Sequence, residues 1–96
     1  MNSFLVDYGL LLEQFLHGAI SVEEFHTTYL DRFKNEAEQL NEPLFELLDE
    51  LFGDVDSFTT DQQLLTDSPG FYLDEVRLRE KVQLAAVRLS TLKAQS

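Results

Sequence analysis

Between Glu42 and Asp61 the chain reads EPLFELLDELFGDVDSFTTD, and it sorts its residues by chemistry at helical spacing. Leu44, Phe45, Leu47, Leu48, Leu51, Phe52, Val55 and Phe58 recur as a helix requires, while Glu42, Glu46, Asp49, Glu50, Asp54 and Asp56 fall between them. At about 100° per residue the apolar set covers one side of a helix and the carboxylates the other. Neither Lys nor Arg occurs in the segment. One face of this helix must therefore be buried against other helices, and the opposite face projects uncompensated negative charge.

The flanking sequence supplies those other helices. Phe4, Leu5, Tyr8, Leu11, Leu12, Phe15 and Leu16 share one side of a helical wheel, with Asp7, Glu13 and Gln14 opposite. Asn2 or Ser3 suits its N-cap, and His17-Gly18 suits its end, since Gly accepts the left-handed conformation that closes a helix. Val6 and Leu10 lie off this face and are expected to touch a further helix.

Ser21-Val22-Glu23-Glu24 is a capping box, and Ile20 and Phe25 have the spacing of a hydrophobic staple. A second helix therefore starts at Ser21, with Val22, Phe25, Tyr29, Leu30, Phe33, Ala37 and Leu40 facing inward. The pattern ends at Asn41-Glu42-Pro43. Asn41 is a good N-cap, and Pro43 is tolerated in a first turn because its missing N–H has no intrahelical partner there. The acidic third helix is expected to run to about Phe58, with Gly53 costing roughly 1 kcal/mol relative to Ala and marking a point of fraying or bending.

Periodicity disappears between Thr59 and Leu73, where Ser68-Pro69-Gly70 predicts a turn and Leu64, Leu65, Phe71 and Tyr72 are expected to pin a loop onto the core. Asp74 then caps a fourth helix whose inward residues are Leu78, Val82, Ala85, Ala86, Leu89 and Leu92. Four amphipathic helices with one longer connection read as an all-α, antiparallel four-helix bundle occupying residues 1–96 as a single domain.

Charge narrows the possible partners. Eighteen acidic residues against seven basic ones give a formal charge of −11, which repels nucleic acid and anionic membrane and favours basic proteins. Residues 1–73 contain only Arg32 and Lys34 as cations, whereas residues 74–96 carry Arg77, Arg79, Lys81, Arg88 and Lys93. The last helix can thus offset part of the repulsion among the rest. The absence of Cys removes disulfides, thiolate metal sites and a Cys nucleophile. No apolar run approaches the roughly 18 residues of a membrane span, and the N-terminus lacks the features of a signal peptide, so a cytoplasmic location is expected.

Catalysis finds little to work with. His17 stands at a helix end, and His26 at the edge of an apolar face reads as a core histidine rather than a base or ligand. There is no Gly-rich phosphate loop and no metal-binding His pair. Asp54-x-Asp56 begins like a calcium loop, but Phe58, Thr59 and Leu65 occupy positions where a ligand, Gly and Glu are needed. No catalytic residue, cofactor or metal is assigned.

A charge run on a helix is ordinarily a solvated surface. Here the density argues otherwise, because uninterrupted carboxylates destabilise their own helix through like-charge repulsion, which solubility does not require. Binding to a basic cleft would offset that cost. Glu46, Asp49, Glu50, Asp54, Asp56 and Asp61 are the candidate contact residues, Glu46 and Asp49 being placed at the rim.

Three segments, EQFLHGAISVEEF (Glu13 to Phe25), DELFGDVDSFTTD (Asp49 to Asp61) and FYLDEVRLREKV (Phe71 to Val82), resemble the colicin D immunity-type family of bacterial self-protective immunity proteins. The resemblance implies a four-helix bundle made beside a toxin, which its type member disarms by placing an acidic helix in the basic cleft of a tRNA anticodon-loop nuclease. Similar proteins are paired with toxic domains of contact-dependent inhibition systems. Aligned on Glu50 to Phe52, Asp56 and Asp61 fall where the family's toxin-facing carboxylates lie, although Asp56 stands where the family pattern has Glu. The resemblance thus implies a monomer binding one cognate toxin nuclease domain, without direct contact to nucleic acid or membrane. The competing reading is an acidic helical adaptor for some other basic, nucleic-acid-binding protein.

Overall fold

In the computed structural model, residues 3–68 and 70–95 are described, and they are all-helical. Five α-helices follow one another: α1 (Ser3–Leu16), α2 (Val22–Glu36), α3 (Glu42–Asp56), α4 (Gln62–Asp67) and α5 (Glu75–Gln95), with a 3-10 turn at Ala37–Gln39 after α2. The boundaries follow from local chemistry. Gly18 takes φ +78° just past α1, relieving the strain that any side chain would meet there. Ser21 accepts from the Glu24 amide at 3.1 Å, and the Glu24 carboxylate lies 3.5 Å from the same hydroxyl. Asn41 Oδ1 accepts from the Leu44 amide at 3.1 Å, and Asp74 Oδ1 accepts from the Arg77 amide at 2.9 Å. The cap expected from Asn2 or the Ser3 side chain lies outside the described residues.

The core forms where the apolar stripes of the four long helices meet. α5 packs on α1 and α3, α3 packs on α2, and α2 on α1, so the contacts close a cycle. Tyr8, Leu12, Phe15, Phe25, Tyr29, Leu48, Val55, Leu78 and Val82 are completely excluded from solvent. Aromatic pairs join α1 to α2: the Phe15 and Phe25 rings stack with centroids 4.4 Å apart, and Tyr8 meets Tyr29 edge-on at 5.9 Å. Arg32 on α2 reaches Asp7 on α1 at 2.9 Å while also pairing with Glu36 at 3.1 Å. The Tyr29 hydroxyl donates a 2.7 Å hydrogen bond to the Leu48 carbonyl, fixing α2 against α3 inside the core.

Four expectations from sequence are corrected. The helices number five, not four, because Gln62–Asp67 forms a short helix where periodicity had indicated only a loop; six residues are too few to display a helical face. Its start is specified by Asp61, which accepts from the Gln63 and Leu64 amides at 2.9 and 3.4 Å. Of the residues expected to pin the connection, Leu65 and Tyr72 are half-buried but Leu64 and Phe71 are 36% and 70% exposed, and its two ends are tied to each other by backbone. Thr59 N–H donates to Leu73 O at 3.0 Å and Leu73 N–H to Ser57 O at 2.9 Å, a short parallel bridge spanning Phe58 and Leu73. Gly70, at φ +89°, sits in the predicted turn, of which Pro69 lies outside the described residues. Third, α3 stops at Asp56, where Ser57 Oγ donates to the Gly53 carbonyl at 2.9 Å, and it runs through Gly53 without interruption. Fourth, Val6 and Leu10 are less covered than expected: they line the edge of a groove against α5 and are 41% and 53% exposed.

The α2–α3 contact gives a direct stability test. Tyr29→Phe removes one buried hydrogen bond and should cost about 1 kcal/mol in urea unfolding. Leu48→Ala, which also opens a cavity at a fully buried site, should cost about 3 kcal/mol with the helical content of the native state retained.

Candidate functional site

The orientation of α3 follows from what it buries. Leu44, Leu47, Leu48, Leu51 and Val55 are all buried, so the carboxylates that alternate with them must turn outward. Glu42, Glu46, Asp49, Glu50 and Asp56 are exposed, and Asp54 is half-buried.

These carboxylates are not electrostatically equivalent, and cations do reach one edge of the helix, which the local sequence had not suggested. On the α5 side, Arg88 donates to Glu50 at 2.7 Å. That guanidinium holds the Glu50 carboxyl below its usual range, with a lesser contribution from Lys81. Asp54, in the groove between α3 and α5, behaves oppositely. Burial, aided by the nearby Glu50 charge, raises its pKa despite the opposing pull of Lys81. The five cations of the C-terminal helix are distant in sequence but two of them reach this edge, and only tertiary structure brings them there.

Along the outermost line of α3 the picture differs. Glu42, Glu46, Asp49 and Asp56 form no ion pair among the described residues. Their spacing of four, three and seven residues keeps them on one side, in a row about 21 Å long at 1.5 Å rise per residue. Gly53 interrupts this row. Nothing within the chain approaches a Cβ built there to within 4 Å, so no internal contact requires the glycine. It leaves a patch of bare backbone bordered by Asp49 and Asp56, which lie four residues before and three after it.

On the α2 side the row has an aromatic border. Phe45 is 36% exposed and Phe52 half-buried, and their rings meet that of Phe33 at 5.8 and 5.2 Å. Both read as core from periodicity; their position at the edge of the apolar arc was the available signal that they reach the surface. Asp61 is not part of the α3 row: it follows the helix and is engaged as the cap of α4. His17 is exposed, and His26 is half-buried with its ring 5.9 Å from Phe58. Among the described residues, no three His, Asp or Glu side chains group as a metal site would require.

Asp54 offers a pH test of this charge partition. Its raised folded pKa means that ionisation costs stability, so its contribution is most favourable below the unfolded carboxylate pKa of about 3.9 and is lost as pH rises through the folded value. Asp54→Asn should therefore stabilise the protein at neutral pH by up to about 0.5 kcal/mol, the scale of a largely solvated charge. Thermal unfolding across pH should show that advantage vanishing as the wild-type carboxyl becomes protonated.

Among the described residues, no helix is long and apolar enough to cross a membrane. In comparison with known families, the profile described as bacterial self-protective colicin-like immunity matches residues 4–89, from the start of α1 into the last third of α5. No curated protein and no solved structure matches the chain. The matched region includes α2 and α3 entire, most of α1 and α5, and the whole acidic row, and proteins of this kind bind and neutralise a cognate bacterial toxin. The chain belongs to the family of bacterial self-protective colicin-like immunity proteins.

Proposed function

We propose that this immunity protein neutralises a toxin ribonuclease, a tRNase by the resemblance of its sequence, by laying the outer row of α3 into the toxin's basic active-site cleft. The observation that carries this reading is the row Glu42, Glu46, Asp49 and Asp56: exposed carboxylates left without cations although α5 supplies cations to Glu50 and beside Asp54. Like charges held at helical spacing repel one another. A nuclease cleft that gathers Lys and Arg around RNA phosphates is the complementary surface, and an acidic rod seated in it excludes substrate by occupancy without any chemistry of its own. The complementary fields also steer encounter, so association should slow as ionic strength rises. One toxin domain per chain, met in the bacterial cytoplasm, completes the reading.

The scaffold suited to this task is an antiparallel bundle of the four long helices, α1, α2, α3 and α5, with the short α4 in a connection. Its support is the pairing of residues across each interface: Phe15 with Phe25 and Asp7 with Arg32 between α1 and α2, and Phe33 with Phe45 alongside His26 with Phe58 between α2 and α3. Arg79 donates to the Phe15 carbonyl at the end of α1, while Leu89 shares a groove with Leu5 near its start. Arg88 pairs with Glu50 while Lys81 lies near Asp54, and together these contacts support α5 running opposite to both neighbours.

The test uses the purified cognate toxin domain, with affinity from calorimetry and inhibition from RNA cleavage. Asp49→Lys with Asp56→Lys should weaken binding by roughly 100-fold or more, since losing close interfacial charge pairs costs 2 kcal/mol upward. Glu50→Gln should change little, its carboxylate being committed to Arg88. Asp61 requires a gentler substitution than Lys, because removing a helix cap costs about 1 kcal/mol by itself; Asp61→Asn removes the charge while retaining a capping oxygen. Undiminished inhibition by a folded Asp49→Lys/Asp56→Lys variant would rule out the proposed face.

Gly53 supplies an independent check. Gly53→Ala should stabilise α3 by about 1 kcal/mol, since the helix gains propensity and no internal clash arises. If a basic side chain of the toxin lies on the bare backbone between Asp49 and Asp56, the same variant should bind toxin more weakly, so that stability and affinity move in opposite directions.

A further inference from the structure

Glu42, Phe45, Asp49, Phe52 and Asp56 follow one another along α3 at intervals of three, four, three and four residues. That spacing keeps them on one stripe of the helix surface, so carboxylates and rings alternate and each ring stands between two carboxylates. The three carboxylates are exposed, Phe45 is 36% exposed and Phe52 is half-buried. Both rings rest on that of Phe33 from α2, with 28° and 36° between the planes. Rings so close to parallel cover each other on one face, which leaves the opposite face of Phe45 and of Phe52 free of Phe33.

Twice within the chain, a ring beside a carboxylate carries an arginine. Arg32 lies over the Tyr8 ring, 5.3 Å from its centroid, and pairs with Asp7 and Glu36. Arg79 lies over the Phe15 ring at 4.4 Å and pairs with Glu75. A guanidinium can do both at once because it is planar: its face meets the ring while its N–H edge donates to the carboxylate. The α3 stripe presents the same two groups side by side. Yet among the described residues no guanidinium lies over Phe45 or Phe52, and Glu42, Asp49 and Asp56 form no ion pair.

We infer that this stripe receives arginine side chains of the toxin rather than lysines, each guanidinium stacked on Phe45 or Phe52 and hydrogen-bonded to a carboxylate beside that ring. The inference rests on the proposed docking of α3 into the toxin's cleft and adds the chemistry by which partners are told apart. Carboxylates alone attract either cation. A lysine ammonium is a compact, strongly hydrated point charge that cannot stack, whereas the weakly hydrated guanidinium gains from the ring and the carboxylate together. The rings thus make a charge-matching surface selective, and a cleft equally basic but furnished with lysine is held less tightly. Phe45 and Phe52 are about 10 Å apart along the helix axis, which leaves room for one guanidinium at each.

The test measures calorimetric affinity between the full-length chain and its cognate toxin domain, in which each cleft Arg is replaced in turn by Lys so that charge is preserved. Against the wild-type chain, one or more of these toxin variants should bind roughly tenfold or more weakly. Phe45→Leu with Phe52→Leu should lose a similar factor and leave the remaining affinity indifferent to the toxin's Arg→Lys changes. Phe45→Tyr with Phe52→Tyr, which keeps both rings, should bind as the wild type does. Because the toxin substitutions leave this chain untouched, a folding defect in it cannot mimic the first result. Wild-type affinity undiminished by every Arg→Lys change overturns the inference, as does a cognate cleft without Arg, or a penalty that persists in full against Phe45→Leu/Phe52→Leu. If Asp49→Lys/Asp56→Lys nonetheless abolishes binding in that case, the α3 face stands and only its preference for arginine is lost. If that variant also binds fully, the face itself falls.

Discussion

Burial of the apolar stripe of α3 is the constraint on which the rest of the molecule depends. Leu44, Leu47, Leu48, Leu51 and Val55 are all withdrawn from water between α2 and α5. Fully burying such side chains is worth about 1.5 to 3 kcal/mol each, against a few tenths for each like-charge contact on the exposed side of a helix. Hydrophobic burial therefore wins, and the helix accepts carboxylates packed more densely than its own stability would favour. The Tyr29–Leu48 hydrogen bond then fixes the rotation of α3, so its outer row is presented in one orientation.

The charge distribution has two parts with different consequences. Along the α5 edge, Glu50 is paired with Arg88 and helps join two helices, while burial disfavours the ionisation of Asp54 despite the nearby Lys81. Along the crest, Glu42, Glu46, Asp49 and Asp56 have no such partner among the described residues. Cations thus reach one edge of the helix and not the next, and under the proposed function the unneutralised charge of the crest is compensated on binding toxin. Gly53, an unfavourable residue for a helix interior, has no contact inside the chain that calls for it.

Much of this was legible in the sequence, for identifiable reasons. Ser21, Asn41 and Asp74 announced helix starts because capping chemistry is local, and each accepts the backbone amide expected of it. The buried residues of α1, α2, α3 and α5 followed from the 3.6-residue period, which holds over helices of 14 to 21 residues. The six residues of α4 carry too little periodicity to be seen, and Asp61, read only as an acidic contact residue, proved to be the cap that starts that helix. The pairing of Glu50 with Arg88 spans 38 positions, beyond any local pattern. Phe45, Leu64 and Phe71 were overcommitted to the core because hydrophobicity indicates a preference for burial without saying whether room remains.

Carboxyl-group footprinting of the protein alone and in complex with its cognate toxin domain tests the central claim most directly, because it reads the solvent access of each Asp and Glu without altering a residue. Asp49 and Asp56 should become strongly protected in the complex, with Glu42 and Glu46 following, while Glu23 and Glu75 react as before. Protection confined to carboxylates elsewhere, with Asp49 and Asp56 as reactive in the complex as in the free protein, would contradict it.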